Sequence, residues 1–192
     1  PHIITIIGGP HPTAVPESVF DEFSNLDFAI KGEGEISLPL LVKAILDNRE
    51  SLNNISGLVF KDKDRTVINP SAFIKELDSL DMPAWDLMEP YSYPDEVQGA
   101  FYKDFPIGPI ITSRGCPYEC TFCANRILMG RTLRFRDIEK VIDEIKYLTY
   151  NYHIKEIHIL DDNFTINKKR VLNFCQRIKE ENVIVARYGL KN

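Results

Sequence analysis

Residues 110–125 read IITSRGCPYECTFCAN: an apolar run ends at Ile111, and Cys116, Cys120 and Cys123 follow within one short loop. Three thiols at C-x3-C-x2-C spacing are arranged to grip one compact object. A structural zinc site needs four ligands, and no fourth cysteine or histidine stands close by in the sequence to complete it. An iron–sulfur cube held by three thiolates keeps one iron open to a further ligand. Spacing alone leaves three alternatives: such a cube, a partial zinc site, or reduced thiols that hold no metal.

Downstream of the loop the pattern repeats as strand, loop and helix. Ile138, Val141, Ile142, Ile145 and Leu148 share one helical face, with Asp137 as N-cap and Glu139 at the positive end of the helix dipole. Residues 154–160 predict a strand that ends at Asp161-Asp162-Asn163-Phe164. A helix that buries Val171, Cys175 and Ile178 follows, then a strand over 183–190. Such repetition is how a (β/α) barrel begins, and barrel chemistry sits at the C-terminal ends of the strands. The cysteine loop and Asp161-Asp162 both fall on that edge. His153 and His158 flank the second strand and read as structural.

Upstream, residues 3–7 (IITII) predict a parallel strand buried on both faces, which runs into the turn Gly8-Gly9-Pro10-His11-Pro12. A short helix over 16–23, a strand over 27–31 and a second glycine turn, Gly32-Glu33-Gly34-Glu35, come next. Leu38, Leu41, Val42, Ile45 and Leu46 then form a helical stripe. This β-α-β-α order is that of a doubly wound sheet, whose ligands bind where the strands end. Between the two α/β regions lie a hairpin, 57–60 with 66–68, and a proline-rich linker over 77–94 that packs through Trp85, Tyr91 and Tyr93. The expected domains are therefore 1–54, then hairpin and linker over 55–105, then 106–192. Buried strands at both ends and no initiator methionine lead us to expect a fragment of a longer protein.

A net charge of −5 gives no electrostatic footprint for nucleic acid. No run approaches the roughly 18 apolar residues that a membrane span requires. Four cysteines, three of them in one loop, do not form a disulfide framework, so a cytoplasmic setting is expected.

The motif RGCPYECTFC, with aromatic Phe122 before the third cysteine, resembles the radical S-adenosylmethionine (SAM) signature. The resemblance implies that Cys116, Cys120 and Cys123 bind a [4Fe–4S] cluster whose open iron chelates SAM, and that Phe122 lies beside the adenine. It also implies that Asp161 and Asp162, at the end of the second barrel strand, jointly hold the SAM ammonium. DDNF stands where many relatives carry glycine-glycine-glutamate, a departure from the commoner form. Arg131, Arg134 and Arg136 read as a solvated basic turn rather than as anion ligands.

IITIIGGPHPTAVPE followed by FAIKGEGE resembles the second half of the cobalamin-binding domain found ahead of radical SAM barrels. By that resemblance Gly8, Gly9, Pro10, Gly32, Glu33 and Gly34 line the cobalamin pocket. The expected protein is a cobalamin-dependent radical SAM enzyme that generates a 5′-deoxyadenosyl radical, most commonly for methyl transfer to an unactivated carbon of a small-molecule substrate. Its electron donor would be a flavodoxin or ferredoxin. The alternatives are an oxidative cyclase or rearrangement enzyme, and a non-catalytic iron–sulfur redox module. A tRNA methylthiotransferase shares the loop, but its N-terminal domain carries further cysteines that residues 3–35 lack.

Overall fold

The computed structural model describes residues 3–47, 51–93 and 102–181 and the backbone of residues 188–190. In chain order the first elements are β1 (Ile6–Ile7), α1 (Pro10–Ala14), α2 (Val19–Glu22), β2 (Phe28–Ile30), α3 (Gly34–Asp47), β3 (Leu58–Asp62), β4 (Arg65–Ile68) and α4 (Trp85–Met88). Then come β5 (Ile107–Ile110), β6 (Ser113–Arg114), α5 (Asn125–Leu128), β7 (Arg134–Phe135), α6 (Ile138–Tyr152), β8 (Glu156–Ile159), α7 (Lys168–Glu180) and β9 (Tyr188–Leu190). The fold is mixed α/β. It divides into two compact units: Pro1–Lys75 with Pro117–Arg131, and Glu76–Cys116 with Thr132–Asn192. No helix among the described residues is long and apolar enough to cross a membrane.

In the first unit the sheet order is β1-β2-β3-β4, with β1 parallel to β2 and the remaining pairs antiparallel. The predicted hairpin pairs with β2 and so extends the same sheet. Alternation along the strands divides the apolar side chains between two faces. Ala29 and Val59 pack with Val19 and Phe20 of α2, whereas Ile30, Leu58 and Phe60 pack with Leu41 and Ala44 of α3.

Three expectations are corrected here. The strand at 3–7 is not buried on both faces in this chain: among the described residues it has one sheet neighbour, β2, and Ile3 is 81% exposed. The predicted stripe on α3 is buried only in part: Leu41 is in the core and Ile45 packs against it as read, but Leu38, Val42 and Leu46 are exposed, and Ser37 and Ala44 face inward instead. Small residues at that contact let the helix approach closely, and the Ser37 hydroxyl donates to the carbonyl of Ser56 at 2.6 Å. The turn over 8–12 is in part helical, with Pro10 opening α1; the missing proline N–H costs nothing in a first turn.

The second unit holds the all-parallel sheet β5-β8-β9, in the register Ile107↔Glu156 to Ile110↔Ile159. Val141, Ile142, Ile145 and Leu148 of α6 and Phe174 and Ile178 of α7 pack on Ile110, Ile157 and Ile159. Asp137 caps α6 as read, its carboxylate accepting from the Glu139 amide at 2.8 Å. Cys175, expected in the core, is exposed: the inward positions of α7 are Phe174 and Ile178, and Cys175 lies one residue round the helix. Trp85 anchors the linker in this core, while Tyr91 and Tyr93 stay exposed. The linker's last residue, 94, and residues 183–187 of the last predicted strand lie outside the described residues.

The opposite face of β8 is polar. Glu156 is fully buried, accepts from the amides of Lys103 (2.8 Å) and Asp104 (3.1 Å), and faces His158 Nε2 at 2.8 Å. Burial pushes the Glu156 carboxyl up, but the Lys103 amide, the His158 ring and the Asp104 amide outweigh it and hold the pKa below the ordinary value. A depressed folded pKa contributes stability above the unfolded value of about 4.3, which is lost as pH falls through the folded value. Glu156→Gln should therefore lower stability at pH 7 by roughly 1–3 kcal/mol. The gap to wild type should close as pH falls below about 4, read by thermal melts of both proteins across pH.

Candidate cofactor site

Strand β5 leads straight into the cysteine loop. Thr112 is fully buried, and Ser113 and Arg114 pair with Phe135 and Arg134 as the short β6–β7 ladder. Cys116 is half-buried in the second unit; Cys120 and Cys123 are exposed in the first. The Cys123 amide donates to the Cys120 carbonyl at 3.0 Å, and α5 begins two residues later. All three thiols are free of disulfides. Among the described residues no three Cys, His, Asp or Glu side chains are gathered to hold a metal ion. The donor set, three free thiols on eight consecutive residues, fits a three-thiolate cluster and does not fit a closed four-ligand zinc site. Phe122 is 91% exposed, which leaves its ring free to lie against a ligand.

The two aspartates that sequence treats as a pair have different surroundings. Asp161 is buried and its carboxylate is taken up by the protein. Oδ1 accepts from the Thr112 amide at 2.6 Å, and Oδ2 accepts from the Thr112 and Ser113 hydroxyls, each at 2.6 Å. Arg170 donates to Thr112 Oγ1 (3.1 Å), Thr112 O (3.1 Å) and Arg136 O (3.0 Å), with its guanidinium 5.1 Å from the centre of the Phe135 ring. Burial lowers the Arg170 pKa, and the charge of Asp161 opposes that shift. Asp162 is exposed and accepts from the Gly115 amide at 3.2 Å, one residue before Cys116. Asp161 thus serves the geometry of the loop, and Asp162 is the carboxylate open to a ligand.

Three arginines have protein partners. Arg131 pairs with Glu119, Arg134 is buried, and Arg136 reaches Glu144 Oε2 at 2.5 Å and the Ile111 carbonyl at 2.8 Å. Arg134 and Arg136 are therefore not the solvated basic turn that the sequence suggests.

In the first unit the two glycine turns come together. Gly9 has φ +95° and Gly32 φ +83°, the left-handed region that glycine alone enters freely. A Cβ on Gly9 would meet no protein atom within 4 Å, so the space beside this turn is clear of protein. Gly8 and Pro10 are exposed and Gly34 half-buried; Glu33 accepts from the Ile74 amide at 2.6 Å, which ties the second turn to the chain after β4. The turns are joined by a residue that sequence reasoning missed. Thr13 Oγ1 donates to the Gly9 carbonyl at 2.7 Å and accepts from the Gly32 amide at 2.9 Å. No periodicity marks a bridging hydroxyl; only the approach of the two turns does. Helix α1, which carries Thr13, also packs against α5. The residues present fit a large ligand laid against the two turns.

Removing the Asp161 carboxylate should leave a buried amide and two hydroxyls without their acceptor. Asp161→Ala should cost roughly 3 kcal/mol in urea unfolding, and Asp162→Ala under about 1 kcal/mol. Equal costs would contradict the division of roles between the two.

Residues 110–189 match the radical SAM superfamily. The chain is 37% identical over 186 residues to an uncharacterized methyltransferase of Pyrococcus horikoshii, covering 96% of this chain and 39% of that protein. It is 30% identical over 191 residues to an anaerobic magnesium-protoporphyrin IX monomethyl ester cyclase of Synechocystis, covering 98% of this chain and 36% of that protein. Its fold is similar to that of the cobalamin-dependent S-adenosylmethionine radical enzyme OxsB, with a TM-score of 0.73 at 20% identity over 93% of this chain and 24% of that one. The chain thus spans less than two-fifths of the length of these relatives. The signature loop, with its thiols free of disulfides, lies on the segment, residues 110–189, that matches the radical SAM superfamily.

Proposed function

We propose that this chain is the cofactor-binding portion of a cobalamin-dependent radical SAM enzyme. The observation that carries the reading is the loop of three free thiols, Cys116, Cys120 and Cys123, directly after β5 in a segment that matches the radical SAM family. These thiolates hold a [4Fe–4S] cluster and leave one iron for SAM. When bound, the cofactors supply reductive cleavage of SAM to a 5′-deoxyadenosyl radical and a methyl group carried on cobalamin.

The protein's own residues bind and orient. Phe122 offers its exposed ring to the adenine, and the exposed carboxylate of Asp162 accepts from the SAM ammonium in a charge-assisted hydrogen bond. Asp161 contributes to the same end by holding the start of the loop. Gly8, Gly9, Pro10, Gly32, Glu33 and Gly34 form the backbone surface for cobalamin. Residues 1–54 are then the end of a doubly wound cobalamin domain and 55–105 its hairpin and linker, and residues 106–192 begin a (β/α) barrel; the compact units divide the chain differently, with residues 76–105 in the second and 117–131 in the first. Parallel pairing of β1 with β2 supports the doubly wound domain, and the all-parallel β5-β8-β9 sheet with α6 and α7 on one face supports the barrel.

Methyl transfer to a small-molecule carbon, with a flavodoxin or ferredoxin as electron donor, is the reaction we favour, since the Pyrococcus relative is named a methyltransferase. The Synechocystis relative favours oxidative cyclisation as the second reading.

Anaerobically reconstituted full-length protein should bind about four irons and four sulfides per chain. Alanine at Cys116, Cys120 or Cys123 should abolish the cluster absorbance, and Cys175→Ala should not. Retention of the cluster in the triple alanine variant would refute the assignment. Asp162→Asn should weaken SAM binding about tenfold at unchanged iron content, the size of one charge-assisted hydrogen bond, measured by equilibrium dialysis.

A further inference from the structure

We propose that Thr13 is a positioning residue for cobalamin, locking the turn at Gly8-Gly9-Pro10 to the turn at Gly32-Glu33-Gly34. The inference rests on the cobalamin reading above. Thr13 is 4% exposed, and its single hydroxyl both donates to the Gly9 carbonyl (2.7 Å) and accepts from the Gly32 amide (2.9 Å).

The bridge matters because it joins the turns where the strand pairing has ended. The β1–β2 ladder ends at Ile7↔Ala29, so both Gly9 and Gly32 lie beyond the last paired residues. Each turn also pivots on a glycine at positive φ, the residue type with the widest choice of backbone conformation. Two turns that must face one rigid macrocycle gain from a cross-tie, because any ordering left to the moment of binding would cost affinity. Thr13 supplies that tie from a buried position inside the fold. Its side chain is also a cleaner probe than the glycines. A change such as Gly9→Val strains a positive φ whatever stands beside it, so it does not separate ligand contact from turn geometry.

The test uses full-length protein titrated with hydroxocobalamin, read by visible absorbance, alongside iron content and melting temperature. Thr13→Val keeps the shape and removes both hydrogen bonds; Thr13→Ser keeps both bonds. Thr13→Val should weaken hydroxocobalamin binding about tenfold or more, and Thr13→Ser should stay within about threefold of wild type. Iron content should match wild type in both. Should Thr13→Val fail to fold, Thr13→Ala against Thr13→Ser isolates the hydroxyl in the same way. Equal affinity of the hydroxyl and non-hydroxyl variants overturns the inference and leaves the cobalamin reading standing. A loss of affinity matched by lost iron and lowered melting temperature assigns Thr13 to general stability, and overturns it too. Wild-type protein that takes up no hydroxocobalamin overturns the cobalamin reading and this inference with it.

Discussion

The buried carboxylate of Asp161 is the interaction on which the cysteine loop depends. A loop that must present thiols has to leave its strand in one direction, and three hydrogen bonds of 2.6 Å to Thr112 and Ser113 set that direction. A buried charge is costly unless it is hydrogen-bonded and faced by opposite charge. Here the donors come from the strand end that needs holding, and Arg170 completes the set by donating to the hydroxyl and carbonyl of Thr112. The tie runs on through the same unit. Arg136 joins the Ile111 carbonyl to Glu144, and Glu144 accepts from Trp85 Nε1 at 2.9 Å. The linker's tryptophan is therefore anchored to the network that holds the start of the loop.

Chemistry and support are divided by burial. The groups that meet a ligand in the proposed reading, Cys120, Cys123, Phe122 and Asp162, are exposed. Thr112 and Asp161 are buried and bonded to each other, and Thr13 is buried and bonded to Gly9 and Gly32. A site is accurate only when its contact residues are locked by such a shell. The polar face of β8 follows the same rule in its own way, since Glu156 is satisfied by two amides and His158 before any ligand is considered.

Legibility in the sequence followed the range of the forces involved. The cysteine loop stood out in the sequence because its three thiols lie within eight consecutive residues. Helix α6 could be read because its stripe and its Asp137 cap are local signals, and both appear as expected. Helix α3 was read correctly at Leu41 and Ile45 but not at its other positions, because apolar spacing does not say which side chains are small enough for close approach to a sheet, and Ser37 and Ala44 won that contact over Leu38 and Val42. Cys175 was misplaced for a related reason: Phe174, one position away, fills the core better. The difference between Asp161 and Asp162 could not be read at all. Adjacent residues at a strand end point to opposite sides, and which side meets Thr112 is decided 49 residues away.

The same reasoning explains why the two glycine turns were found but the residue between them was not. Glycine announces itself, because the conformation at Gly9 and Gly32 excludes most other residues. Threonine at 13 has an unremarkable place in a short helix, and its importance arises only from a partner 19 residues further on. Functional residues that touch cofactors tend to be chemically distinctive and so visible in sequence; those that fix the distance between such residues are ordinary in type and specific only in place. In the proposed reading Thr13, Thr112 and Arg170 are of that second class by their hydrogen bonds, and a substitution there conservative in chemistry would do damage disproportionate to its size.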